Sequence, residues 1–267
     1  MIEKVQHFNT LLFQEIEPHI GLITMNRPDH LNAINLEMLR EFHELFQALS
    51  DNDTIRVVII TGAGRGYSSG ADLKDAVIHK DTVVFADPGM YLKSVQELYS
   101  ALIIGMRKIP QPIISAVNGP AAGGGFCMTL ASDIRVASPE AYFVASFINI
   151  GLSGGELASS FLLPRLVGLS WASDILYTGR KVMADEAEKI GLVSRVVPGQ
   201  KLIEAALSYA RVMVAKSLGG LKLTKRVLDE NLFASSLQTA VNLENRNQTI
   251  MVFSGEFFKL IQSFHKG

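Results

Sequence analysis

The stretch Asn118-Gly119-Pro120-Ala121-Ala122-Gly123-Gly124-Gly125-Phe126-Cys127 constrains this chain more than any other. It follows the apolar run Ile113-Ile114-Ser115-Ala116-Val117 and leads into Met128-Thr129-Leu130-Ala131. That order reads as strand, tight turn, glycine triplet and helix. Glycine has no Cβ, so backbone there can approach a ligand or another chain segment closely. A glycine run that opens a helix also leaves the first N–H groups without intrahelical partners. Amides presented in this way can stabilise a developing oxyanion, so the segment points to acyl chemistry.

The surrounding pattern fits a strand–helix alternation. Residues 57–61, 113–117 and 134–137 are short and apolar, as buried strands are. Between them, Asn35 is placed to cap a helix running to about Leu49, with Leu36, Leu39, Phe42, Leu45, Phe46 and Leu49 along one side. Residues 91–107 carry a second helical pattern. Such alternation requires crossover connections and a largely parallel sheet. The opening differs: residues 11–17 and 20–25 flank Pro18-His19 and read as a hairpin. Asp185 to Gly191 reads as a short helix with acids early and a glycine stop. From Gln200 onward the residues 201–216, 218–230, 237–248 and 256–265 all read as helices, with sparse glycine, so a boundary falls near Pro198-Gly199.

Two glycine-rich motifs invite other readings. Gly62-Ala63-Gly64-Arg65-Gly66 follows a strand, as a dinucleotide fingerprint does, but the spacing needs glycine where Tyr67 stands. Gly66-Tyr67-Ser68-Ser69-Gly70 matches the nucleophile elbow G-x-S-x-G. That elbow requires a strand ending at the serine and an acid and a histidine downstream. Here the strand ends several residues earlier, and only His79 and His265 follow.

Gly66-Tyr67-Ser68-Ser69-Gly70-Ala71-Asp72-Leu73-Lys74, Met25-Asn26-Arg27-Pro28-Asp29-His30-Leu31-Asn32-Ala33 and the glycine triplet resemble, in order and spacing, the enoyl-CoA hydratase/isomerase (crotonase) superfamily. The resemblance continues through Leu163-Pro164-Arg165-Leu166-Val167-Gly168, Tyr177-Thr178-Gly179-Arg180 and Gly191-Leu192-Val193, and so covers nearly the whole chain. It is specific for the superfamily and much less so for the reaction. It implies an α/β fold: a crotonase-like ββα spiral core over residues 1–198, then a C-terminal helical oligomerisation region over 199–267. It implies a homotrimer, or a hexamer built as a dimer of trimers.

The resemblance also assigns roles. The N–H groups of Ala71 and Gly124 form an oxyanion hole for a thioester enolate. Arg27, Leu31, Ala33, Ser69, Gly70, Asp72, Leu73, Gly123 and Phe147 line the site for an acyl-CoA substrate, and Lys259 can meet CoA phosphates. Coenzyme A enters as part of the substrate, with no permanently bound cofactor. Hydratases of the family use two glutamates. The first lies three residues after the middle glycine, which is Cys127 here, and counting forward from Phe143 puts the second at Phe147. Neither is a carboxylate. Cys127 reads as a packing residue, since nothing local lowers its pKa. Counting back twelve residues from Gly168 lands on Glu156, in the register where dienoyl-CoA isomerases carry an aspartate. Glu156 is thus the candidate acid/base, or a cap for the helix that follows. Its small and apolar neighbours predict burial. Proton transfer between carbons, hydration at a rearranged site, and a catalytically silent acyl-CoA-binding subunit all stay open.

Composition excludes other classes. The chain has 267 residues, 48% hydrophobic, enough for a substantial core. A net charge of −1 gives no basic footprint for nucleic acid or membrane. The single cysteine permits no intrachain disulfide, and the start of the chain has no signal-peptide core. A cytoplasmic protein is expected. The six histidines form no cluster with metal-ligand spacing, so no metal is expected.

Overall fold

A computed structural model describes residues 8–74 and 83–264. His79, His265 and the Lys259 side chain lie outside the described residues. The strands are β1 (Leu11–Glu17), β2 (Ile20–Met25), β3 (Val57–Gly62), β4 (Ile113–Val117), β5 (Ala121–Ala122), β6 (Ile134–Ala137), β7 (Tyr142–Val144), β8 (Val182–Met183) and β9 (Arg195–Val196). The helices are α1 (Leu36–Ser50), α2 (Val83–Ala86), α3 (Pro88–Tyr91), α4 (Glu97–Lys108), α5 (Gly124–Ala131), α6 (Ser159–Val167), α7 (Leu169–Thr178), α8 (Ala184–Lys189), α9 (Leu202–Val214), α10 (Leu218–Asn231), α11 (Leu237–Phe253) and α12 (Glu256–Phe264). Among the described residues, no helix is long and apolar enough to cross a membrane.

β1 and β2 form the expected antiparallel hairpin, with His19 at φ +72° in its turn. From β2 the sheet runs parallel, in the order β1-β2-β3-β4-β6-β9. A smaller sheet, β5-β7-β8, branches off after β4. Every residue of β3 and β4 is buried, because helices cover both faces of the parallel sheet. This explains the unbroken apolar runs in the sequence.

One face carries the larger core. α1 presents Met38, Leu39, Phe42, Leu45, Phe46 and Leu49 to it, at helical spacing. Its cap is as the sequence requires: Asn35 Oδ1 accepts from Met38 N at 3.0 Å. Each such buried side chain contributes about 1.5–3 kcal/mol. On the other face α9 buries Leu202, Ala206, Leu207 and Ala210 against Ile20, Val57, Ile59, Ile114 and Val136.

The second predicted helix departs from the expected continuous span. Between α3 and α4 the turn Leu92–Gln96 is π-helical, and the Glu97 N–H reaches back five residues to the Leu92 carbonyl. One extra residue in a turn re-phases the helix by about 100° at 3.6 residues per turn. No side-chain pattern in the sequence marks such an insertion.

Candidate active site

The three motif segments meet where β2, β3 and β4 end. The loop after β2 turns back through Leu31 and Asn32, at φ +50° and +53°. Asn32 is fully buried and its amide donates to the carbonyls of Ala63 at 2.9 Å and Gly66 at 2.8 Å. Asn118, from the turn after β4, donates to the carbonyls of Gly64 and Gly66 and accepts from Gly62 N. The Gly62–Gly66 turn is therefore filled by protein: a Cβ on Gly62 would lie 2.2 Å from the Gly66 carbonyl. Ser68 is buried as well. Its hydroxyl donates to Asn32 O at 2.8 Å and accepts from Gly70 N at 3.2 Å, while its carbonyl accepts from Ala122 N at 2.9 Å. Such a serine is structural, and no histidine contacts it among the described residues.

This docking brings Ala71 beside the glycine triplet. A Cβ on Gly70, which sits at φ +88°, would meet Ala122 O at 2.7 Å and Gly124 N at 3.0 Å. Gly70 O accepts from Ile34 N, and Asp72 N donates to Ile34 O. The Ala71 N–H between them faces away from that bridge. Gly124 opens α5, so its N–H is one of the four that a helix start leaves unpaired. Among the described residues neither N–H has a hydrogen-bond partner. Gly123, at φ +51°, donates to Val144 O at 3.0 Å, and a Cβ there would stand 3.5 Å from the Phe147 ring. Phe147 thus walls the triplet, buried to 7% exposure.

Glu156 lies on the loop before α6. Leu157 follows it, with a methyl carbon 3.7 Å from where a Gly124 Cβ would stand. Glu156 is half-buried, where the sequence predicted burial. It does not cap α6, which starts from Ala158 without a side-chain cap. Instead its Oε1 accepts from Gln96 Nε2 at 2.8 Å. Tyr91 is close enough that the Glu156 charge adds to burial in raising the phenol pKa. Gln96 and Tyr91 carry no motif, so sequence reasoning missed them. Cys127 is fully buried, and its S–H donates to Glu156 O at 3.5 Å. Burial first, and the Glu156 charge second, push its thiol pKa far up. A thiol held protonated is a poor nucleophile.

Arg27 and Asp72 are engaged with each other at 2.8 Å, and Arg27 also donates to Ala33 O. The pair locks the loop after β2 to the Gly70–Asp72 segment. Ser69 and Leu31 are half-buried and joined through Ser69 N and Leu31 O at 2.9 Å; Ala33 is buried and Leu73 is exposed. A groove of about 660 Å³ between α4, α6 and α10 lies to one side and reaches this region only through Ala158. Among the described residues no cluster of three or more metal-ligating side chains occurs.

Known proteins share this sequence pattern and this fold. The family model for enoyl-CoA hydratase/isomerase matches residues 15–265. A probable enoyl-CoA hydratase echA12 of Mycobacterium bovis is 45% identical over 238 residues, covering 89% of this chain and 83% of the relative. A crystal structure of a probable enoyl-CoA hydratase/isomerase from Mycobacterium abscessus superposes with a TM-score of 0.88 at 39% identity, over 97% of this chain and 96% of that one. A monofunctional enoyl CoA isomerase from M. smegmatis gives a TM-score of 0.74 at 40% identity, over 87% of this chain and 98% of that one. With this sequence match and this fold, the chain belongs to the enoyl-CoA hydratase/isomerase family.

Proposed function

We propose that the protein binds an acyl-CoA thioester with its carbonyl oxygen between the N–H groups of Ala71 and Gly124, and that Glu156 carries a proton between carbons of the bound enolate, shifting a double bond. Two amide donors aimed at an oxygen that gains charge in the transition state typically contribute about 2.7–4 kcal/mol each. The observation that carries the reading is the carboxylate inventory. By the family register Cys127 and Phe147 stand where hydratases carry glutamates, Asp72 is engaged by Arg27, and Glu156 precedes Leu157, whose methyl packs near Gly124. One carboxylate suffices to take a proton from one carbon and return it to another, whereas placing water across a double bond calls on two. Ser69, Leu31, Ala33 and Leu73 would face the CoA moiety, with Gly70, Gly123 and Phe147 shaping the acyl end and the Arg27–Asp72 pair bracing the cleft. The substrate brings coenzyme A with it, and no resident cofactor is needed. The protein would act in the cytoplasm as a trimer or a pair of trimers, assembled through α10 to α12.

Product analysis in isotopic water tests the reaction class. Incubation with unsaturated acyl-CoA thioesters of differing double-bond position is expected to interconvert them without mass change beyond exchanged hydrogen. A product heavier by one water would establish hydration at a rearranged site and contradict the isomerase reading.

A further inference from the structure

The geometry points to Gln96 as the positioning residue of the acid/base carboxylate, an inference that rests on the reading of Glu156 given above. Three features restrict Glu156. Its backbone is pinned: Glu156 N–H donates to Ser159 Oγ at 3.0 Å, and Glu156 O accepts from Ser159 N at 2.8 Å and from the Cys127 S–H at 3.5 Å. The chain then leaves through Leu157 and Ala158, at φ +47° and +62°. Neither is glycine, and each costs about 1–3 kcal/mol in this region, so the surrounding structure enforces the turn. With the backbone fixed, only the side-chain torsions remain free to move the carboxylate. The hydrogen bond from Gln96 Nε2 to Oε1, at 2.8 Å, restrains them and leaves Oε2 without a partner among the described residues.

The π-helical turn supplies the aim. Gln96 ends the widened turn Leu92–Gln96, while Val95 and Tyr99 on either side of it point into the core. The extra residue lets the helix seat both of those side chains and still turn Gln96 toward the loop before α6. Single widened turns of this kind recur at functional sites. An amide suits this role, because it donates a hydrogen bond to a carboxylate oxygen without adding a charge that would titrate or form an ion pair. A base held in one orientation reacts faster than one that samples several, and a misplacement of about 1 Å can cost about a hundredfold.

The test is Gln96→Met in the full-length protein, which keeps the side-chain length and removes the donor. α-Proton exchange of bound acyl-CoA thioester is expected to slow by about tenfold to a hundredfold, with thioester Kd within about twofold and Tm unchanged. Exchange at the wild-type rate overturns the inference. A parallel collapse of Kd and Tm with the rate also overturns it, because Gln96 would then be scaffold. Should Gln96→Met fail to fold, Gln96→Asn retains the amide but withdraws it by one methylene, and the same loss of rate is expected. Glu156→Gln run alongside separates the two layers. Full exchange in that variant removes the role of Glu156 itself. Loss of exchange there, with none in Gln96→Met, removes only the positioning role.

Discussion

Arg27 and Asp72 show how a side chain's partner decides its role. Both sit in motif segments, and the sequence offers them to the coenzyme. The fold joins them to each other across the two loops at 2.8 Å. Burial alone would raise the Asp72 pKa. The hydrogen bonds from Arg27 and the Lys74 N–H, with the charges of Arg27 and His30, outweigh it and hold the carboxyl below the usual carboxylate range. A carboxyl depressed in the folded state binds its proton more weakly there than in the unfolded chain, whose value is about 3.9. Its contribution is therefore complete above about pH 4 and is lost as pH falls through the folded value. Thermal melts from pH 7 down to pH 3 check this: Asp72→Asn should melt lower than wild type at pH 7, and the gap should narrow on acidification. The pairing was not legible in the sequence, because which charges meet across 45 positions is a property of the tertiary structure. Cys127 was legible. Its place within an apolar helix announced packing, and the structure leaves it fully buried.

At the scale of elements, the strands and the capped helix α1 could be read directly, since unbroken apolar runs and an asparagine before a helical stripe have few other solutions. The close approach of two loops could be read only as a tendency, from glycines that permit it. Gly70 turns that tendency into a prediction. Its φ of +88° and the 2.7 Å distance from its Cβ position to Ala122 O leave no room for a side chain. Gly70→Ala should push the Ala71 N–H away from Gly124. Turnover should then fall by about 10²–10³, the typical effect of losing one oxyanion donor. Measured kcat and thioester affinity separate this from simple misfolding, since affinity should fall far less than kcat. The π-helical turn stayed invisible, because what it accompanies, the burial of Val95 and Tyr99 and the Gln96–Glu156 hydrogen bond, is tertiary. Glu156, by contrast, was legible as a candidate, by counting back from the Gly168 motif.

For the molecule as a whole, the helical region expected from residue 199 divides: α9 packs on the sheet, while α10 to α12 leave large apolar side chains exposed. Leu237 is 81% exposed, Phe253 83%, Ile250 51% and Phe258 55%. The assembly proposed above predicts that light scattering returns a trimer or hexamer of the 29.2 kDa chain, and that charged substitutions at Leu237 and Phe253 dissociate it. A monomer at micromolar concentration would contradict that assignment of the helical region. The central claim concerns the site, and one measurement addresses it most directly: α-proton exchange of acyl-CoA thioesters in deuterated water, wild type against Glu156→Gln, with thioester binding followed in both. The account predicts deuterium uptake in the wild type that disappears in the variant while binding persists. Undiminished exchange in Glu156→Gln, or no exchange in a wild type that binds the thioester, would contradict it.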